Sequence, residues 1–240
     1  MAVITMNGQI GSGAVEIGAL VARRLGYDYV DRLILAEAAK RLRATVEVLA
    51  QKEQRSPTRG DRLARFLNTV MERSALAGSG ADPYMGAGLG VLLGQDYPRA
   101  MEDPITRADQ LEDERFIAVT KSVIMELADE GNVVIIGRAS NYILKDRPDA
   151  FHVGVVSTLD ARIKTITERE QVSPQQAKTI TIEHERGRIT YFRKYFQATV
   201  DNPADYHLMV NAHRMSPEAA ARIVADSFLS LFKKAPQAAP

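Results

Sequence analysis

Residues Ile4 to Leu25 (ITMNGQIGSGAVEIGALVARRL) constrain the fold most strongly. A short apolar run, Ala2 to Met6, leads into a turn holding Gly8, Gly11 and Gly13, and helical spacing begins near Val15. This is the layout of a strand, a phosphate-binding loop and a helix. Glycines let the main chain turn its N–H groups toward an anion, and a helix N-terminus adds partial positive charge. Gly8 to Gly13 fits G-x-x-x-x-G, but Ala14 and Val15 follow where a nucleotide-hydrolysing protein carries Lys and Ser or Thr. The loop is suited to phosphate yet lacks the usual cation and magnesium-binding hydroxyl.

A chain of 240 residues can bury a full core as one large domain or one domain with an insertion. A net charge of +1 gives no general attraction to nucleic acid or an anionic membrane, so neither is expected as a partner. Absence of cysteine excludes disulfides and thiolate chemistry, and four histidines without paired spacing argue against zinc. No apolar run approaches the ~20 residues needed to span a bilayer. Met1 to Met6 runs into a strand instead of a cleavable signal, so the cytoplasm is the expected location.

The pattern predicts strands at Val3–Met6, Tyr27–Val30, Asn132–Ile136, Phe151–Val156 and His207–Asn211. Helices are predicted after the glycine turn, over Arg32–Arg43, from a Thr45 cap, over 62–77 and over Glu114–Asp129. Three more follow, opening at a Ser157-x-x-Asp160 capping box, at Ser173-Pro174-x-Gln176 and at Ser216-Pro217-Glu218. The last runs to about Lys234, and residues 235–240 read as a disordered tail. Gly78–Pro104, with six glycines and three prolines, keeps no period and reads as a flap, a protein-partner contact or a disordered loop. Strands alternating with helices predict an α/β fold, with a parallel sheet covered on both faces.

In such folds ligands gather at the carboxyl ends of the strands. That rule selects the glycine loop, Asp31 with Arg32, Gly137 with Arg138, Ser157 with Thr158, and Asn211. Arg138 would face the loop across one cleft and clamp a phosphate, while Asp31 would orient a sugar hydroxyl or a metal-bound water. On the helix after Pro174, Glu185, Arg188, Tyr191 and Lys194 (or Tyr195) recur at steps of three or four and share a face. Arg186 and Arg193 flank it, and Arg162 and Arg169 lie on the preceding helix. Cations so arranged suit phosphoryl transfer, which depends on positioning and charge stabilisation. Tyr191, Phe192, Tyr195 and Phe196 read as packing residues.

ITMNGQIGSGAVEIG…YDYVDRLIL, NVVIIGRASNYIL, Asp160 through Arg169, ERGRITYFRKYF and NPADYHLMVN resemble the cytidylate kinase-like proteins, of the nucleoside monophosphate kinase group of phosphate-loop folds. The resemblance thins between about Thr45 and Asp113. It implies a three-layer fold around a five-stranded parallel sheet, in one core domain over 1–234. It also implies a helical monophosphate-binding insertion over about 45–113 and a helical lid over about 160–196. The implied reaction moves the terminal phosphoryl of ATP to CMP or dCMP with magnesium.

By the same resemblance Gly8, Gly11, Ser12, Gly13, Ala14 and Val15 form the phosphate loop. Asp31 and Arg32 lie on the substrate side, and Arg138 grips the monophosphate. Glu185 and Arg188 form the acidic–arginine pair of the lid, with Glu where Asp is more usual. Cytidylate kinases have Lys and Gly, Ser or Thr where this chain has Ala14 and Val15, and the kinase-like branch often has Gly-Arg there. Ala139 stands where the CMP enzymes place Asp, and Thr181 where their lid carries another arginine.

Three functions are consistent with these residues. The first is a kinase acting on CMP or a related small acceptor, with Arg32, Arg188 or Arg138 replacing the lysine and Ser12, Asp31 or water holding magnesium. The second is a nucleotide sensor using the same cleft and reporting through Gly78–Pro104, to a protein partner or a second copy of the chain. A dinucleotide-dependent oxidoreductase would use Gly11-x-Gly13 and Asp31, but position 16 is Glu and no Tyr-x-x-x-Lys pair is present.

Overall fold

The computed structural model describes residues 2–31 and 107–232. The expected helices between Arg32 and Ala77, the Gly78–Pro104 segment, most of the 45–113 insertion and the 235–240 tail lie outside them, as does Arg32.

Five strands, β1 (Val3–Gly8), β2 (Asp28–Val30), β3 (Val133–Ile136), β4 (Ala150–Val156) and β5 (Leu208–Asn211), form one parallel sheet in the order β2-β3-β1-β4-β5. The central strand is therefore the one that feeds the glycine turn. Among the described residues six α-helices accompany it: α1 (Ala14–Leu25), α2 (Arg107–Glu130), α3 (Ser140–Ile143), α4 (Leu159–Glu170), α5 (Pro174–Phe196) and α6 (Pro217–Phe232).

Alternation in β1 assigns the two faces. Ile4 and Met6 pack with Phe151, Val153 and Val155 against Ile17 and Val21 of α1 and Val224 and Phe228 of α6. Val3 turns the other way, with Val133, Ile135 and Ala150, onto Val123, Ile124 and Leu127 of α2. Both sheet faces are thus buried, as all-parallel sheets require, and the layers are helix, sheet, helix.

Several boundaries differ from the sequence expectation. β1 continues past Met6 because Asn7 and Gly8 still pair with Gly154 and Val155 of β4. α2 is already helical at Arg107, the first described residue of its stretch and ahead of Glu114, and it ends at Glu130 before Gly131, whose φ of 71° is the left-handed stop. Helix α4 is capped by Thr158, which accepts from the Ala161 amide, and not by Ser157. The Ser157 amide is instead donated to Gln9 Oε1 at 3.1 Å, which draws that residue to the glycine turn. The capping box at Ser173 and Gln176 is present as expected.

Candidate active site

The glycine turn leaves the carboxyl end of β1 and enters α1. Gly11 (φ 75°) and Gly13 (φ 84°) take left-handed conformations that a side chain would strain. Space closes as well: a Cβ on Gly11 would lie 2.7 Å from the Arg162 carbonyl oxygen, and one on Gly8 would lie 2.6 Å from the Ala14 Cβ. Gly13 caps α1 with no side-chain hydrogen bond, so the first-turn amides are left to a ligand or solvent. The loop is closed on itself by the Ser12 amide donating to the Gln9 carbonyl at 3.0 Å. Ser12 Oγ is buried and makes no hydrogen bond among the described residues. The Ala14 methyl, at the position of the expected lysine, is buried in the core between the sheet and α1.

The end of β3 sits beside this loop because Ile136 pairs with Met6 and the Gly137 amide donates to the Met6 carbonyl at 2.9 Å. Gly137, Arg138 and Ala139 then adopt three successive left-handed conformations, with φ of 80°, 54° and 53°. Two of the three are non-glycine residues, and backbone strain of this kind gathers at ligand clamps. Arg138 is buried. Just beyond, Asn141 Oδ1 accepts from Asn7 Nδ2 at 2.9 Å, which joins the ends of β3 and β1. Asp31 is buried at the end of β2.

Helices α4 and α5 contribute a network of charge. Arg162 donates Nε to the Ile10 carbonyl at 2.8 Å and Nη2 to Glu185 at 2.8 Å. Glu185 also accepts from Arg188, through Nη2 at 2.8 Å and Nε at 3.2 Å. Arg188 grips both carboxylate oxygens of Asp201, one of them at 3.0 Å. Asp201 in turn accepts from Gln9 Nε2 at 3.3 Å. The ring runs from the glycine loop through two arginines and two acids back to the loop.

Both arginines are about 95% buried, with relative exposures of 5%. Burial would lower the Arg188 pKa, but the hydrogen bonds and charges of Asp201 and Glu185 outweigh it and hold the guanidinium above its ordinary range. For Arg162 burial dominates, and its pKa is lowered despite Glu185.

The loop and the Arg138 turn, expected across one cleft, thus stand together with the Glu185–Arg188 pair at or just beyond the carboxyl end of the sheet. Of the flanking cations, Arg186, Arg193 and Lys194 are exposed, and Lys194 lies over the Tyr195 ring instead of joining the inner face of α5. Tyr191 and Phe192 are core residues, packed with Ala139 and Ile117. Thr181 is buried and donates to the Ala177 carbonyl, leaving no cation at that position.

Sequence reasoning missed Gln9 and Asp201, and it treated Arg162 as one cation of several. Their partners lie 192, 152 and 13 residues away, so no local spacing announces them. It also missed a contact between His152 and His207, whose rings are 5.2 Å apart across β4 and the start of β5.

The residues present fit magnesium only thinly. Val15 has no oxygen to offer, and no cluster of three or more His, Cys, Asp or Glu side chains suited to a metal occurs among the described residues. Ser12 Oγ and the Asp31 carboxylate are the nearest oxygen donors in type. No described helix is long and apolar enough to cross a membrane.

Comparison with known proteins follows the same lines. The profile of the Cytidylate kinase-like family matches residues 3–214. Cytidylate kinase of Methanoregula boonei is 25% identical over 127 residues, covering 52% of this chain and 67% of that protein. Cytidylate kinase of Staphylothermus marinus is 29% identical over 109 residues, covering 45% of this chain and 60% of that protein. Matched segments thus span roughly two thirds of these relatives' length or less. Among solved structures, an uncharacterized protein from Eubacterium ventriosum superposes with a TM-score of 0.62 at 15% identity, covering 96% of this chain and 99% of that one.

Proposed function

Because the chain belongs to the cytidylate kinase-like family, we propose that it binds ATP at the Gly8–Val15 loop and transfers the terminal phosphoryl to CMP, dCMP or a related small acceptor. The observation that carries this reading is the loop itself. Its two left-handed glycines and uncapped helix start lie beside a strained turn that presents a buried arginine. Such a cradle binds phosphate through main-chain amides and helix polarity, neither of which needs a lysine.

In this reading Arg138 grips the acceptor's monophosphate, with Asp31 and Arg32 on the acceptor side. Glu185 and Arg188 belong to a lid formed by the α4–α5 hairpin, where Arg188, held by Glu185 and Asp201, keeps the hairpin closed over the loop. Magnesium would arrive with ATP, where Ser12 or Asp31 could add an oxygen to those of phosphate and water. It would neutralise charge on the phosphates. The chain's own residues orient the two nucleotides and exclude water between them.

One observation favours a second reading, a nucleotide sensor on the same fold. The residues at positions 14 and 15 are a buried methyl and a valine, so the two groups that act on the transferred phosphoryl and its metal are both gone. Calorimetric titration with ATP, CMP and both together, with and without magnesium, separates the readings when ADP release is followed in the same samples. Binding with CMP-dependent release supports the kinase. Binding without release supports the sensor, and absence of nucleotide binding removes both.

A further inference from the structure

The two buried arginines of the α4–α5 hairpin differ in how their hydrogen bonds are used. Arg188 is committed to acids, holding Asp201 with both amino groups and Glu185 with Nε and Nη2. Arg162 is committed to the loop. Its Nε donates to the Ile10 carbonyl, Nη2 donates to Glu185, and Nη1 makes no hydrogen bond among the described residues. Its own main chain lies against Gly11, close enough that a methyl there would meet the Arg162 carbonyl oxygen at 2.7 Å. The guanidinium is thus fixed beside residues 9–11 from two directions, with one amino group uncommitted. A planar fork held in this way loses little entropy on gaining a phosphate oxygen. The loop itself has no cation, since position 14 is a buried alanine.

We propose that Arg162 supplies the positive charge that position 14 lacks, contacting the outer phosphates of a nucleoside polyphosphate in the glycine loop. This assignment rests on the nucleotide-binding reading of the same site. It differs from the expectation that Arg188, Arg138 or Arg32 takes the lysine's place, because Arg188 is held by two carboxylates. Arg162 has one carboxylate bonded to it, Glu185, which it shares with Arg188, and it keeps Nη1 for a phosphate oxygen.

A brace and a charge make different predictions. If Arg162 only props the loop, its loss weakens every nucleotide alike. If it holds outer phosphates, the loss grows with phosphate number. Calorimetry with ATP, ADP and AMP on wild-type protein and Arg162→Gln tests this. The expected result is about a 10- to 100-fold loss of ATP affinity, with AMP weakened by less than about threefold. A parallel loss for all three nucleotides, or an unchanged ATP affinity, would overturn the assignment.

The Ala14→Lys variant in the wild-type background gives a test that does not require Arg162→Gln to fold. With Arg162 already supplying the charge, a lysine at position 14 should improve ATP affinity by less than about threefold in the wild-type background. A gain of tenfold or more from Ala14→Lys alone would mean that the position is electrostatically vacant, and would overturn the assignment. Wild-type protein that binds AMP but binds ATP no more tightly would overturn it while leaving nucleotide binding intact. Wild-type protein that binds no nucleotide would overturn the functional reading and this assignment together.

Discussion

Arg162 Nε donates to the main-chain carbonyl of Ile10 at 2.8 Å across 152 residues of sequence, so helix α4 is bonded directly to the glycine loop. That contact is one link of a closed ring. Arg162 orients Glu185, Glu185 orients Arg188, Arg188 holds Asp201, and Asp201 returns to the loop through Gln9. The hairpin and the glycine loop are thus joined at two points, Arg162 to Ile10 and Asp201 to Gln9.

Glu185 is the one acid bonded to both arginines. Glu185→Gln should leave two adjacent guanidinium groups buried with a single acid between them. Removing one partner from a buried charge network costs about 3 kcal/mol or more. Urea unfolding at pH 7 should show a lower midpoint with an unchanged slope. Arg162→Gln added to Glu185→Gln should recover part of the loss, because it removes one of the stranded charges; additive losses would mean that the pair does not interact.

Gly11→Ala combines a left-handed residue with a contact to main chain, which cannot rotate away. The conformation alone costs about 1–2 kcal/mol, and the approach to Arg162 adds to it. The variant should unfold at lower denaturant and bind ATP at least about tenfold more weakly. Stability and binding equal to wild type would show that this turn does not need glycine.

His152 lies in the sheet with Nδ1 2.7 Å from Thr5 Oγ1. Burial, with a smaller contribution from His207, lowers its pKa to about 4 from an ordinary 6.5. The folded state therefore binds fewer protons than the unfolded chain between those values. The His152 contribution to stability is complete above pH 6.5 and is lost as pH falls toward 4, for a total on the order of 2 kcal/mol. His152→Gln should flatten the stability profile between pH 6.5 and 4.5 relative to wild type; parallel profiles would show that His152 does not titrate with folding.

Much of the fold was legible because its signals are local. Alternating or continuous apolar runs marked all five strands, and glycine or Ser-Pro marked most helix ends. The Thr158 cap was not legible, because Ser157 is an equally good capping residue and its diversion depends on Gln9, far away in sequence. The candidate site was half legible. Gly11, Gly13 and Arg138 stand out by type and by position at strand ends. Arg162 looked like any surface cation on a helix, and only packing of α4 over Gly11 distinguishes it from exposed Arg186 or Arg193. Lys194 shows the converse: helical spacing gave it, or Tyr195, a place on one face with Arg188, while the structure leaves it exposed over the Tyr195 ring.

The most direct test of the account is transfer itself. Protein incubated with ATP labelled in its terminal phosphate, CMP and magnesium should yield labelled CDP, and Arg138→Ala should slow this by about 100-fold or more through loss of the acceptor phosphate clamp. ATP binding with no labelled diphosphate from CMP, dCMP or any other nucleoside monophosphate would contradict the phosphotransferase reading and leave a nucleotide sensor in its place.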